Sequence, residues 1–230
     1  MVIKDVVNRL IPSIHRSREQ QREVLASQLL GHLVEGLPWT SSALDFQVLR
    51  LLQNDIVLNE RKSIVEFGAG LSTVFLARTI AQFSLETRLV SFEQDAEWVR
   101  RVDSWLPGDL DVQVIHRPLT EYSNSGEDLP FSVARWYAGV EPFLPDEIDL
   151  VVVDGPAAGE SSIAFDRYPA LKPCLDRLAV KFGLLLDDTN RHAEAMIAEN
   201  WHNLLGDSVA SFSISSATMF LGGNTWNITP

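Results

Sequence analysis

The sequence is poor in cysteine: Cys174 is the one thiol in 230 residues. A lone thiol excludes an internal disulfide framework and a cysteine-based zinc site. It falls in the apolar-periodic segment Leu171 to Val180, so it is expected to be buried and inert. Cations are also scarce: 19 Lys and Arg stand against 31 Asp and Glu, for a formal net charge of −12. That balance argues against a broad nucleic-acid or anionic-membrane surface, since both need clustered Lys and Arg; a small local basic pocket stays compatible with it. No apolar run approaches the roughly 20 residues of a membrane span. Lys4, Asp5 and Arg9 interrupt the N-terminal stretch, which therefore does not read as a secretory signal. There is no repeat and no low-complexity tract, and a cytoplasmic protein is expected.

What the chain has is apolar bulk. Hydrophobic residues make up 46% of it, with six Trp and eleven Phe, enough for a sizeable core in one α/β domain with an extra element. Residues from about Val2 to Leu33 have helical spacing divided at Pro12, with Arg16, Arg18, Glu19, Arg22 and Glu23 on the expected outer face. Gly36 to Thr40 reads as a loop. Thr40, Ser41 and Ser42 are candidate N-caps for a helix over about Ala43 to Gln53, and Ser42 with Asp45 has capping-box spacing.

An alternating pattern follows. Strands are expected over Ser63 to Phe67, Arg88 to Glu93, Asp111 to His116, Ile148 to Val153 and Gly183 to Leu186. Helices are expected over Ser72 to about Gln82, Asp95 to about Leu106, Ser161 to about Lys181 with a bend near Pro169 and Pro173, and Thr189 or Asn190 to about Leu205. Leu119 to Asp146 reads as polar and irregular. Ser208 to Ser213 and Ala217 to Leu221 flank Ser215-Ser216 as a hairpin. Five strands alternating with helices mean an α/β fold with a doubly wound, mostly parallel sheet. Residues 1–58 form a helical extension of the domain at 59–230.

Ligands of such sheets bind beyond the carboxyl ends of the strands, and acids fall at those ends: Glu66, Glu93, Asp154, Asp187 and Asp188. The turn Gly68-Ala69-Gly70-Leu71-Ser72-Thr73 joins the first strand to a helix, so a ligand can approach bare backbone and free N–H donors. A dinucleotide fingerprint wants Gly or Ala where Thr73 stands, and Glu66 would repel a pyrophosphate. A sulfonium with an amino-acid tail fits beside Glu66 better. Glu93 can accept both hydroxyls of a ribose, although it would do so in an NAD enzyme too. An NAD-linked oxidoreductase and a non-catalytic cofactor-binding protein are the alternatives.

Val65-Glu66-Phe67-Gly68-Ala69-Gly70, Ser91-Phe92-Glu93, Asp149 to Pro156 and the closing hairpin together resemble class I S-adenosylmethionine-dependent methyltransferases, over roughly Ile56 to Gly222. The resemblance implies a seven-stranded Rossmann-like sheet with a C-terminal antiparallel hairpin, S-adenosylmethionine as cofactor and a small-molecule acceptor. It implies that Glu66, Gly68 and Gly70 line the methionine part and that Glu93 holds the ribose. Residues His116 to Leu119, with Pro118 and Leu119 in the binding set, would lie near adenine. Phe67, Ala69, Ser72, Thr73, Gln94 and Asp154 complete that set. Pro38-Trp39-Thr40-Ser41-Ser42 resembles the segment that covers the cofactor in one branch of this superfamily, although Trp39 serves equally as a helix staple. The N-terminal helices offer a surface for pairing with a second subunit.

For chemistry, Asp154 could orient the acceptor, bind a metal or contact the methionine amine. Asp154, Asp187 and Asp188 together could hold Mg²⁺ or Ca²⁺. The set is similar to that of metal-dependent catechol-type O-methyltransferases. It departs from them in having Asp187-Asp188 for an Asp-Asn pair, and in having no lysine shortly after Asp154. Asp154-Gly155-Pro156, Arg167-Tyr168-Pro169 and the Asp-Asp pair look closer to a bacterial branch similar to sugar O-methyltransferases. Asp188, His192 and Arg167 are the other candidate catalytic residues, His192 as a general base and Arg167 as a binder of an acidic substrate group. Arg135-Trp136-Tyr137 could cap the acceptor as a lid, or belong to a hydrophobic cluster packed on the N-terminal helices.

Overall fold

The computed structural model describes residues 18–122, 130–158, 163–226 and 228–229. The helical spacing expected from Val2, the break at Pro12 and the helix start expected at Ser161 lie outside them. A helix over residues 18–30 (α1) runs into a 3-10 turn, Gly31–Leu33. Then come α2 (Phe46–Leu58), β1 (Ser63–Phe67), α3 (Leu71–Gln82), β2 (Arg88–Glu93), α4 (Ala96–Asp103) and β3 (Val112–His116). Two short strands, β4 (Leu119–Glu121) and β5 (Arg135–Tyr137), precede β6 (Ile148–Val153). The chain ends with α5 (Lys172–Leu175), β7 (Leu178–Leu186), α6 (His192–Leu205), β8 (Ala210–Ile214) and β9 (Ala217–Leu221).

Seven strands form one sheet in the order β3-β2-β1-β6-β7-β9-β8. β1, β2, β3, β6 and β7 are parallel, and the closing hairpin adds β9 and β8 antiparallel. Alternation along β6 explains why its apolar run is uninterrupted. Leu150 and Val152 belong to the core layer shared with α2 and α3, while Val151 and Val153 belong to the opposite layer with Cys174, Ile197 and Trp201. A strand covered on both faces has no polar side to show. Cys174 is buried, and burial pushes its thiol up to about 12.

Several expectations are corrected. The helix expected through Lys181 is a 3-10 turn at Tyr168–Ala170 and one turn of α5. Pro169 and Pro173 sit at helix starts, where a missing N–H costs nothing, and the chain is already extended at Leu178. There β7 pairs with Ile148, breaks register, and pairs again from Gly183 opposite Leu150. The segment expected to be irregular contains β4 and β5, paired antiparallel with Leu119 opposite Tyr137. α2 starts three residues later than expected. Its N-cap is Asp45, which accepts from Val48 N–H at 2.9 Å, and not Thr40, Ser41 or Ser42. Glu23 is not an outer-face charge: its carboxylate accepts from Phe46 and Gln47 N–H at 2.9 and 3.1 Å. The donors that open α2 are therefore satisfied from α1, a partnership no local spacing reveals.

Candidate functional site

The turn after β1 is fixed by a close backbone crossing. Gly68 has φ +96°, and a Cβ there would lie 2.6 Å from Gly155 N. Phe67 carbonyl accepts from Asp154 and Gly155 N–H at 2.9 and 2.7 Å, and Gly68 N–H donates to Phe92 carbonyl at 2.9 Å. The turn after β1 is thereby tied to the end of β2, and the turn after β6 to the end of β1. Only glycine at position 68 admits both the left-handed φ and the contact.

Glu66 lies behind this turn, fully buried. It stands opposite Ser91 in the β1–β2 register, which puts both side chains on the α3 side of the sheet. Ser91 and Thr73 hydroxyls donate to Glu66 Oε2 at 2.7 and 2.6 Å. Thr73 Oγ1 also accepts from Gly70 N–H at 2.9 Å. Thr73 is thus the link between the buried acid and the glycine turn. Glu66 Oε1 has no hydrogen-bond partner. Burial pushes the carboxyl pKa up, against the hydroxyls of Ser72, Thr73 and Ser91.

Over the turn opens a cavity of about 700 Å³ at the carboxyl ends of the strands. Its wall brings together Gly68, Ala69, Gly70, Ser72, Glu93, Gln94, Asp154, Arg167, Asp187 and Asp188, all anticipated from the sequence. Glu66, Phe67 and Thr73 support the wall from behind and do not line it. Other anticipated residues lie off it, His116 among them. Trp39 stacks on Phe46 with centroids 4.5 Å apart, as a staple at the start of α2. Pro118 and Leu119 lead into β4, where Leu119 packs on the core beside Tyr137. His192 opens α6 on the exposed surface. Arg135-Trp136-Tyr137 is not a lid either. Trp136 and Tyr137 are buried against Phe67 in the core, and Tyr137 hydroxyl donates to Gln94 Oε1 at 3.0 Å.

The wall also takes in Arg191 and most of the segment Pro38 to Ser42, both anticipated near the site, and it adds Trp98, Trp105 and Ser216, which the sequence did not single out. Trp98 and Trp105 meet edge to face at one end, and Trp98 Nε1–H donates to Ala69 carbonyl at 2.8 Å. The signal for Trp98 was available: Asp95 N-caps α4 directly after Glu93, so the first turn of α4 must stand over that carboxylate. At the other end lie Arg191 and Ser216, and Ser216 hydroxyl donates to Asp187 Oδ1 at 2.8 Å. The segment from Leu37 to Asp45 forms the outer wall, tied down where Ser215 hydroxyl donates to Asp45 Oδ2.

Arg167 is almost wholly buried and has every N–H directed at protein. Nε donates to Pro156 carbonyl at 3.2 Å. One terminal nitrogen reaches Asp187 carbonyl at 3.3 Å and Asp188 Oδ2 at 3.0 Å, and the other reaches Asp154 carbonyl at 2.7 Å and Asp154 Oδ1 at 3.4 Å. A guanidinium has five donors, so none is left for a substrate. Arg191, by contrast, is half-exposed and pairs with Asp188 Oδ2 at 2.8 Å.

Burial is the largest cause of raised pKa values at Glu66, Glu93, Asp154 and Asp187; Arg167 opposes it at Asp154, while Asp187 and Asp188 add to it there. An acid with a raised folded pKa binds its proton more tightly folded than unfolded. Its stabilising contribution is complete below the unfolded carboxyl value of about 4 and is lost as pH rises through the folded value. The urea midpoint is therefore expected to fall as pH rises above about 4. Glu66→Gln, which has no proton to lose, is expected to flatten part of that slope. A midpoint that rises with pH over this range, or an identical slope in the variant, contradicts the assignment.

No protein-family model matches the chain, and no curated protein matches it in sequence. Solved structures do match it in fold. The O-methyltransferase TomG from Streptomyces achromogenes, in complex with SAM, is 16% identical with a TM-score of 0.54 over 90% of each chain. An SAH-bound methyltransferase from Podospora anserina is 14% identical, with a TM-score of 0.57 over 90% of this chain and 96% of its own. An O-methyltransferase from Bacillus cereus in complex with SAH is 14% identical, with a TM-score of 0.55 over 90% of each chain. By its strand order and by these neighbours, the chain has the Rossmann-like fold of the class I S-adenosylmethionine-dependent methyltransferases.

Proposed function

We propose that the protein is an S-adenosylmethionine-dependent methyltransferase acting on an oxygen of a small molecule. The observation that carries this reading is one continuous cavity. It runs from Glu93, Trp98 and Trp105, past the bare backbone of Gly68 to Gly70, to Asp154, Asp187 and Ser216. S-adenosylmethionine supplies an electrophilic methyl group on a sulfonium. The chain offers a place for each of its parts. Glu93 accepts the ribose hydroxyls, and Trp98 with Trp105 provides aromatic surface for a base. Leu71 and Ser72, in the first turn of α3, line the wall where a helix has N–H groups without intrahelical acceptors. Glu66 keeps one carboxyl oxygen without a protein partner behind the turn, which leaves an acceptor on the side where a ligand's amino group would lie. The structures of TomG and of the Podospora and Bacillus proteins were solved with SAM or SAH, which supports the same cofactor here.

At the far end, the acceptor would lie against Asp154, Asp187, Arg191 and Ser216. Asp154 and Asp187 are carboxylates whose proton affinity burial raises, which suits removal of a hydroxyl proton during transfer. Arg167 positions these acids without contacting the acceptor, and His192 lies exposed at the start of α6, outside the lining of the cavity. Half-exposed Arg191, paired with Asp188 and Glu194 at 2.8 and 3.5 Å, lies on the wall where it can also meet an acidic group on the acceptor. No described helix is long and apolar enough to cross a membrane.

Calorimetry tests the reading. S-adenosylhomocysteine is expected to bind the wild-type chain, and NADH is not. Glu93→Ala removes a charged acceptor for two hydroxyls, a loss of about 2–3 kcal/mol, or roughly 30- to 150-fold in Kd. No heat at millimolar S-adenosylhomocysteine, or an unchanged Kd in the variant, would sink it.

A further inference from the structure

Oxygens of Asp154, Asp187 and Asp188 come within 4.8 Å of one another, a donor set of the kind hard divalent cations take. The surroundings do not fit such an ion. We propose that the site carries its own cation instead: the Arg167 guanidinium bridges Asp154 and Asp188, excludes a divalent ion from the acidic cluster, and lets the proposed methyl transfer proceed without one.

Three observations support this. Arg167 spans the two carboxylates, with one terminal nitrogen 3.0 Å from Asp188 Oδ2 and the other 3.4 Å from Asp154 Oδ1. Its charge is held in place, because its remaining donors are bound to the carbonyls of Asp154, Pro156 and Asp187, so it cannot swing aside to admit an ion. Asp188 is engaged a second time, by Arg191 at 2.8 Å from the solvent side. An ion entering the cluster would stand next to a fixed positive charge, and at Asp188 Oδ2 it would compete with two guanidinium groups. Arg167 is therefore a positioning residue. It ties the turn after β6 to the turn after β7 and sets the spacing of the acids that face the acceptor.

The inference rests on the proposed function only for what the acids do; the identity of the cation is tested without methyl transfer. The full chain is titrated with Mn²⁺ and bound metal is read by electron paramagnetic resonance, with S-adenosylhomocysteine calorimetry on the same samples. The wild type is expected to show only free Mn²⁺ at millimolar metal. Arg167→Met, which keeps bulk but removes charge, is expected to bind Mn²⁺ at least tenfold more tightly, and Arg167→Lys is expected to return to the wild-type result. Mn²⁺ binding by the wild type below about 100 μM that is lost in Asp188→Asn overturns the proposal. So does a folded Arg167→Met that binds no Mn²⁺. If that variant does not fold, the wild-type titration decides alone. Failure to bind S-adenosylhomocysteine would instead strike the cofactor reading and leave the Mn²⁺ result standing.

Discussion

Gly68→Ala is expected to cost about 3 kcal/mol of stability or more and to abolish S-adenosylhomocysteine binding. Two effects add. A side chain at φ +96° is strained in any surroundings. The new methyl would also stand 2.6 to 2.9 Å from the backbone of Asp154 and Gly155, which cannot rotate away as a flexible side chain can. The turn after β6 must then move, and with it Asp154. Gly70→Ala is the control. Gly70 has an extended φ of −176°, and a Cβ there meets nothing within 4 Å. Its stability is expected to stay within about 1 kcal/mol of wild type, while a methyl on the cavity wall weakens S-adenosylhomocysteine. Urea midpoints and calorimetry on the two variants separate the glycine that holds the fold from the glycine that admits the ligand. Equal midpoints for both variants would contradict this division.

Arg61→Ala is expected to destabilise the protein by about 3–5 kcal/mol, the range for breaking a buried ion pair from one side. Arg61 and Asp55 are both fully buried, joined by two hydrogen bonds of 2.8 Å, and Arg61 also donates to Lys181 carbonyl at 2.6 Å. Truncation leaves the Asp55 charge with Asn59, at 2.9 Å, as its remaining side-chain donor. Replacing both partners with apolar residues, Arg61→Met with Asp55→Leu, is expected to recover most of the loss. The pair joins α2 to the entry of β1 and to β7, at the end of the sheet opposite the cavity. Under conditions where Arg61→Ala remains folded, its affinity for S-adenosylhomocysteine is expected to match wild type. A large change in affinity would show that the far end of the sheet controls the site, contrary to the geometry.

The parts of the fold that could be read from the chain are those fixed by near neighbours. β1, β2, β6 and β9 fall where alternation and apolar runs put them, because a strand's period and its two-sided burial are written along its own residues. Asp95 caps α4, and Gly206, at φ +85°, ends α6, since caps and stops act within one turn. The first half of β7 is not legible along the chain, because Leu178 pairs with Ile148 ahead of a register break that only β6 reveals. The β4–β5 pair is not legible in the chain either, because three-residue strands carry too few residues to show a period.

The candidate site divides along the same line. The sequence alone determined the glycine turn, the acids at the strand ends and the direction in which the cleft opens, because strand order and strand polarity follow from local pattern and chain connectivity. The tertiary structure decided which of those residues face the cavity. It put Glu66 and Thr73 behind the turn and moved Trp39, Pro118, Leu119 and His192 off the wall. It brought in Trp98 from α4 and Ser216 from the hairpin, which lands beside Asp187 because β9 runs antiparallel to β7 with Thr218 opposite Leu186. It also turned Arg167 from a free cation into a saturated one. A guanidinium in a sequence carries only its charge. Whether that charge meets substrate, metal or protein depends on where five donors find acceptors, and here those acceptors come from two turns brought together by the pairing of β6 with β7.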